Sequence, residues 1–286
     1  MKKACTVSTM ARGEMHAAAI TLAFDASINL GKRAVIDAIA TTLDSLGDPL
    51  DRLWIEDASA RRRTCTVDRA MALLSHQKAF RYLWAAPASE RRNTRSEWLT
   101  AVMVDHIAVQ GGILFFALPR GSAQGFLPHV TLLKSLAQAG FVPQYGWAYT
   151  CQYDKPDYFA FDYAYNNRVQ LIEHTDWQRR ARGMILDVFP INVLSEIHLR
   201  QKLGDVSLKE WIRENTGPES LMQIAPGCFT WSVPAAHTAA VSARLARYGL
   251  TIHGDAETLS RPSGPEQYRR PTVPTPHPCR RQDRRI

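Results

Sequence analysis

Between Phe141 and Tyr165 the chain places ten of its 26 aromatic residues. Eight of them fall at even spacing along two runs, Tyr145, Trp147, Tyr149 and Tyr153, then Phe159, Phe161, Tyr163 and Tyr165. A period of two places every one of these rings on the same face of a β-strand, because successive side chains on a strand point to opposite sides. The intervening Gly146, Ala148, Thr150, Gln152, Ala160, Asp162 and Ala164 are small or polar, and Asp154, Lys155, Pro156 and Asp157 supply turn chemistry between the runs. The spacing predicts a long β-hairpin with one aromatic face and one nearly flat face.

Eight aromatic side chains each bury about 150–250 Å², so such a face has the scale of a core. Five of the eight are tyrosines, whose hydroxyls need partners, and this opens a second use as a recognition platform. The local charge points the same way. From Tyr153 to Asp176 the acids Asp154, Asp157, Asp162, Glu173 and Asp176 meet only Lys155 and Arg168, a balance of −3 within a chain of net charge +8. On this reading Trp147 and the phenylalanines belong to the core. Asp154, Asp157, Tyr158, Asp162 and Tyr165 are the candidate partner-binding residues, suited to a basic protein surface.

The rest of the chain alternates strand and helix patterns. Ala19–Phe24 is strand-like, and Val35, Ile36, Ile39, Leu43 and Leu46 follow at helical spacing until Gly47 and Pro49 stop them. Leu53–Ile55 reads as a returning strand, Val67–Trp84 as a helix, Glu97–Val109 as helical and Ile113–Leu118 as a strand. Phe126–Ala139 has helical periodicity with Gly140 as its cap. Beyond the aromatic region come a strand-like Met184–Leu194, a short helix Ser207–Asn215 with Trp211 and Ile212 inward, and a strand Phe229–Val233. A closing helix striped by Val241, Leu245 and Tyr248 precedes a last strand at Leu250–Ile252. This pattern predicts an α+β fold, with a mixed or largely antiparallel sheet, the long aromatic hairpin, and helices packed on one face.

The charge is unevenly placed. Residues 261–286 hold seven arginines, two acids and six prolines and account for +5 of the +8, leaving +3 for residues 1–260. A stretch with so little apolar surface is expected to be a disordered Arg/Pro-rich tail, after a single α+β domain over 1–260. Five scattered cysteines with no CxxC argue against a disulfide framework and for reduced thiols, hence a cytoplasmic setting. The most apolar window, Ala101–Leu118, contains Asp105, His106, Gln110 and a Gly-Gly pair, so no membrane span is expected.

No motif for catalysis accompanies these elements. Gly31-Lys32 lacks the upstream glycine and following hydroxyl of a phosphate-binding loop, and Gly121-Ser122 does not centre its serine as a nucleophile elbow does. Asp105-His106, Glu173-His174 with Asp176, and Glu196 with His198 are local acid–histidine pairs whose adjacency alone does not make an acid/base couple. Neither a metal nor a cofactor is expected, and no catalytic residue is assigned. Three arginine groups (Arg61, Arg62 and Arg63; Arg91, Arg92 and Arg95; Arg179, Arg180 and Arg182) support an alternative reading, a nucleic-acid-binding or regulatory module. Their neighbouring acids Asp57, Asp68 and Glu90 favour solvated loop charges instead, which makes a nucleic-acid partner the lesser expectation.

Four sequence features occur in order: Gly183-Met-Ile-Leu-Asp187-Val-Phe-Pro190-Ile-Asn192-Val-Leu194, then His198, then Ser207-Leu-Lys-Glu-Trp211-Ile212, then Phe229-Thr-Trp231-Ser-Val-Pro234. This order resembles the C-terminal half of bacterial polymorphic-toxin immunity proteins, in particular immunity protein family 52. The resemblance spans about 70 residues. It implies a protein that neutralises a cognate toxin by stoichiometric binding, with no turnover. It also implies that Asp187, Pro190, Asn192, Trp211 and Trp231 are structural signatures of the family fold.

Overall fold

The computed structural model describes residues 16–25, 27–57, 61–76, 80–90, 100–107, 111–119, 125–152 and 183–251, all within one compact unit, Met1–Gly254. The expected boundary near residue 260 and the tail at 261–286 lie outside the described residues.

The elements in chain order are β1 (His16–Ala23), α1 (Arg33–Ser45), β2 (Leu50–Asp57), β3 (Arg62–Cys65), α2 (Val67–His76), β4 (Phe80–Pro87), β5 (Ala101–Ile107), β6 (Gly111–Pro119), α3 (Leu127–Gln138) and β7 (Tyr145–Gln152). They continue with β8 (Ile191–Ser195), α4 (Glu196–Leu199), β9 (Lys202–Leu203), β10 (Val206–Ser207), α5 (Leu208–Thr216), β11 (Leu221–Ala225), β12 (Cys228–Ser232) and α6 (Thr238–Ala246). Ten strands form one sheet in the order β11-β12-β8-β7-β1-β6-β5-β4-β2-β3, with every neighbouring pair antiparallel. The fold is α+β.

Topology explains where the first helices lie. The crossover β1-α1-β2 passes over β6, β5 and β4, and β6-α3-β7 passes over β1 in the opposite direction. Crossovers that start from antiparallel strands, run opposite ways and share the usual right hand land on the same side of a sheet. Accordingly α1 and α3 pack against each other, and their Val35, Ile36, Ile39, Leu43, Leu132, Leu133 and Leu136 are buried with Ile20, Leu22, Leu53, Val104, Leu114 and Phe116 of the strands. Ala70 of α2 joins this layer. The later helices were expected on the same face but take the other one. Leu199 of α4, Trp211 and Ile212 of α5 and Val241 and Leu245 of α6 are buried against Tyr145, Trp147, Leu194, Phe229 and Trp231. A ten-stranded sheet with apolar residues on both sides needs both sides covered, so one helical layer does not suffice.

Two segments read as helical are strands. The helix expected over Val67–Trp84 ends at His76, and Phe80–Pro87 is β4; Glu97–Val109 contains β5. Both strands lie inside the sheet with neighbours on each edge. Leu83 and Ala85 are buried on one face of β4 and Trp84 and Ala86 on the other. A strand buried on both faces loses its polar alternation, and its apolar run then mimics helical spacing. The apolar window Ala101–Leu118 likewise resolves into β5 and β6. Gly140, at φ 86°, ends α3 as its sequence indicates. Tyr248, expected to line the closing helix, lies past its end and is 52% exposed.

The aromatic pattern takes a different direction from the one its spacing suggests. Tyr145, Trp147 and Tyr149 of β7 share a buried face, but the edge of Gly146–Ala148 away from β1 is taken by β8. A hairpin pairing along its whole length from Tyr145 is therefore not formed; the run Phe159–Tyr165 lies outside the described residues. What β7 enters is a row across the sheet. Successive strands pair Leu221, Trp231, Asn192, Trp147, Thr21, Phe115, Met103, Trp84, Trp54 and Thr64. Four tryptophans and a phenylalanine stand on this row, and cross-strand neighbours are the units through which sheets gain side-chain stabilisation. On the flat face of β7, Gly146 and Ala148 are buried as well, while Thr150 is exposed. A Cβ on Gly146 would meet the Thr21 carbonyl oxygen at 2.6 Å and Leu22 Cδ2 at 2.8 Å, so only glycine lets β1 lie so close.

One buried histidine gives this fold a pH dependence. His129 on α3 has no exposed surface; its ring lies 5.1 Å from Phe116 and 5.6 Å from Phe126. Its Nε2–H donates to the Ala18 carbonyl at 3.0 Å, while Nδ1 is buried without a hydrogen-bond partner among the described residues. Burial disfavours the imidazolium and pushes the pKa down from 6.5 to about 4, against the raising influence of the Ala18 carbonyl. Since the unfolded chain binds this proton first, the stability contributed by neutral His129 is complete above pH 6.5. It falls as pH drops toward 4, by about 3 kcal/mol in all. Urea denaturation at pH 7.5 and 4.5 should show this loss, and His129→Leu should remove most of the difference.

Candidate functional site

The acidic, tyrosine-rich stretch singled out by sequence lies between the end of β7 and Gly183. Its candidate contacts Asp154, Asp157, Tyr158, Asp162 and Tyr165 fall outside the described residues. The structure does describe the frame on which both ends of that stretch are held. On one side β7 is bound into the sheet by β1 along its length, to the pair His16 and Gln152. On the other, Gly183 stands at φ 87°, where an added Cβ would come within 2.6 Å of the Ile197 carbonyl oxygen and 2.5 Å of Gln201 Nε2. No other residue type fits that return against α4 without displacing it.

Past Gly183 the chain is locked in place residue by residue. Ile185 N–H donates to Leu250 O at 2.9 Å, and Ile185 pairs with Thr251 in an isolated parallel bridge. Leu186 N–H donates to the Tyr145 hydroxyl at 2.8 Å. That bond gives a physical reason for tyrosine at a fully internal position where phenylalanine would leave the amide unpaired. Asp187 Oδ1 accepts from the Val188 amide at 2.7 Å and from the Ser242 hydroxyl, which ties this loop to α6.

Asn192 is the centre of the arrangement. Completely buried, it accepts from Phe189 N–H at 2.9 Å through Oδ1 and donates through Nδ2 to Phe189 O at 2.7 Å and to Trp231 O at 3.3 Å. The side chain thus closes the turn around Pro190 and joins it to β12, while Pro190 O accepts from Val233 N–H at 2.9 Å. Trp231 is buried and donates from Nε1 to Thr216 Oγ1 at 3.1 Å, linking β12 to the end of α5. Trp211 is buried on α5 beneath the Arg244 guanidinium, 5.0 Å from its ring. Ser207 and Glu210 form a capping box at the start of that helix, and Glu210, held by the Ser207 amide and hydroxyl, lies below the usual carboxylate range. The five residues of the sequence signature are therefore brought into one region, where they join the turn, β8, β12 and α5.

Of the acid–histidine pairs, Glu196 and His198 separate. His198 turns inward and stacks on Tyr145 with ring centres 5.2 Å apart; its Nδ1 accepts from Ser195 N–H at 3.2 Å and lies 2.8 Å from Ser195 Oγ. Accepting an amide proton at Nδ1 fixes the neutral ring as the Nε2–H tautomer. Glu196 instead faces outward toward Arg200 at 3.8 Å. The side chains of Asp105 and His106, and the group around Glu173 and His174, lie outside the described residues. Of the arginine groups, Arg61 closes the β2–β3 turn onto Asp57 at 3.0 Å, while the groups at Arg91 and Arg179 lie outside the described residues. Among the described residues no group of three or more His, Cys, Asp or Glu is placed to hold a metal ion, and no helix is long and apolar enough to cross a membrane.

Sequence reasoning missed the inward role of His198 and the Asp187–Ser242 link. Ser195-x-x-His198 caps its helix as Ser-x-x-Glu would, but with a ring nitrogen in place of the carboxylate. Ser242 lies 55 residues from Asp187, and no local spacing could announce that contact.

No protein-family model matches the chain, and no curated protein matches it. The resemblance to immunity protein family 52 rests on the signature residues themselves. Among solved structures, the fold is similar to that of the Pseudomonas aeruginosa T6SS protein PA0821. The TM-score is 0.53 at 11% identity, and the match covers 82% of this chain and 76% of that one. At that identity the likeness establishes a shared fold.

Proposed function

We propose that this protein is a cytoplasmic immunity protein that binds a cognate toxin of interbacterial antagonism and neutralises it by stoichiometric occlusion, without turnover. The observation that carries this reading is the fold shared over 82% of the chain with a protein described as belonging to a type VI secretion system. The signature supports it. Asp187, Asn192 and Trp231 are spent on holding the turn and β12 together, which suits a rigid frame presenting a contact surface. The contact surface is the acidic stretch between β7 and Gly183, with Asp154, Asp157, Tyr158, Asp162 and Tyr165 meeting a basic face of the toxin. Arg61, already engaged by Asp57, does not favour the nucleic-acid alternative.

The test is a pull-down of the toxin encoded beside this gene, followed by association kinetics. Asp157→Lys with Asp162→Lys should slow association roughly tenfold at low salt and leave thermal melting unchanged, because peripheral charges act mainly on encounter. Retention of a chain lacking residues 261–286 on DNA or RNA at physiological salt, without toxin binding, would overturn the proposal.

A further inference from the structure

We draw no further inference here: the strongest candidate, the exposed small apolar face of α6 at Ala239, Ala240 and Ala243 with the exposed Tyr248 just past the helix end, carries nothing because no feature of the structure shows what covers it.

Discussion

Trp147→Ala should lower the stability of the protein by about 4 kcal/mol, the largest loss expected from any single truncation in the sheet. Trp147 has no exposed surface and stands in the middle of the aromatic row, with Thr21 and Asn192 as its strand partners. Its ring is 5.5 Å from Tyr145 and 5.8 Å from Phe189, so truncation opens a cavity that touches the sheet and the loop above it. The two are close-packed and cannot both collapse to fill the space. Trp147→Phe is the informative control. The indole Nε1 is buried without a hydrogen-bond partner among the described residues, so phenylalanine forfeits volume but no bond. Its cost should stay below that of alanine by about 2 kcal/mol. Urea denaturation with unchanged slope would measure both, and equal losses for the two variants would contradict this packing.

The second large effect is expected at Asn192. Asn192→Ala removes one acceptor and two donor contacts at once and leaves Phe189 N–H, Phe189 O and Trp231 O without that side chain. Unpaired buried groups cost about 1–3 kcal/mol each, and partial relaxation makes a total of about 3 kcal/mol the expected loss. Asn192→Asp separates hydrogen bonding from volume. It preserves the acceptor for Phe189 N–H but turns a second oxygen toward two carbonyl oxygens, so it should be at least as destabilising as alanine at neutral pH. Near-native stability of the aspartate variant would show that Nδ2 contributes little and that the turn around Pro190 is held by other means.

These two sites also show what the sequence makes legible. Period-two aromatics at Tyr145, Trp147 and Tyr149 identified β7 and its buried face, because that information is carried by consecutive residues. The neighbour of β7 could not be read the same way. β8 lies about 40 residues on, and pairing with it depends on the Asn192 turn and on β12, which are long-range contacts with no local signature. The same limit applies to α2 and β4, where burial on both faces erased the alternation that separates strand from helix. Trp211 and Ile212 on α5 were legible because an amphipathic helix buries one stripe and displays the other. At the candidate site, the charge of the stretch after β7 was readable. The knot of Tyr145, Asp187, Asn192 and Ser242 that frames it was not, since those residues meet only in the folded chain.

The most direct measurement is growth of cells that express the toxin encoded beside this gene, with and without this protein. Growth should be restored by the wild-type chain in proportion to its level, as stoichiometric occlusion requires. It should also be restored by a chain lacking residues 261–286, and be lost on Asp157→Lys with Asp162→Lys at limiting expression. Failure of the wild-type chain to restore growth, or rescue by amounts far below those of the toxin, would contradict neutralisation by binding.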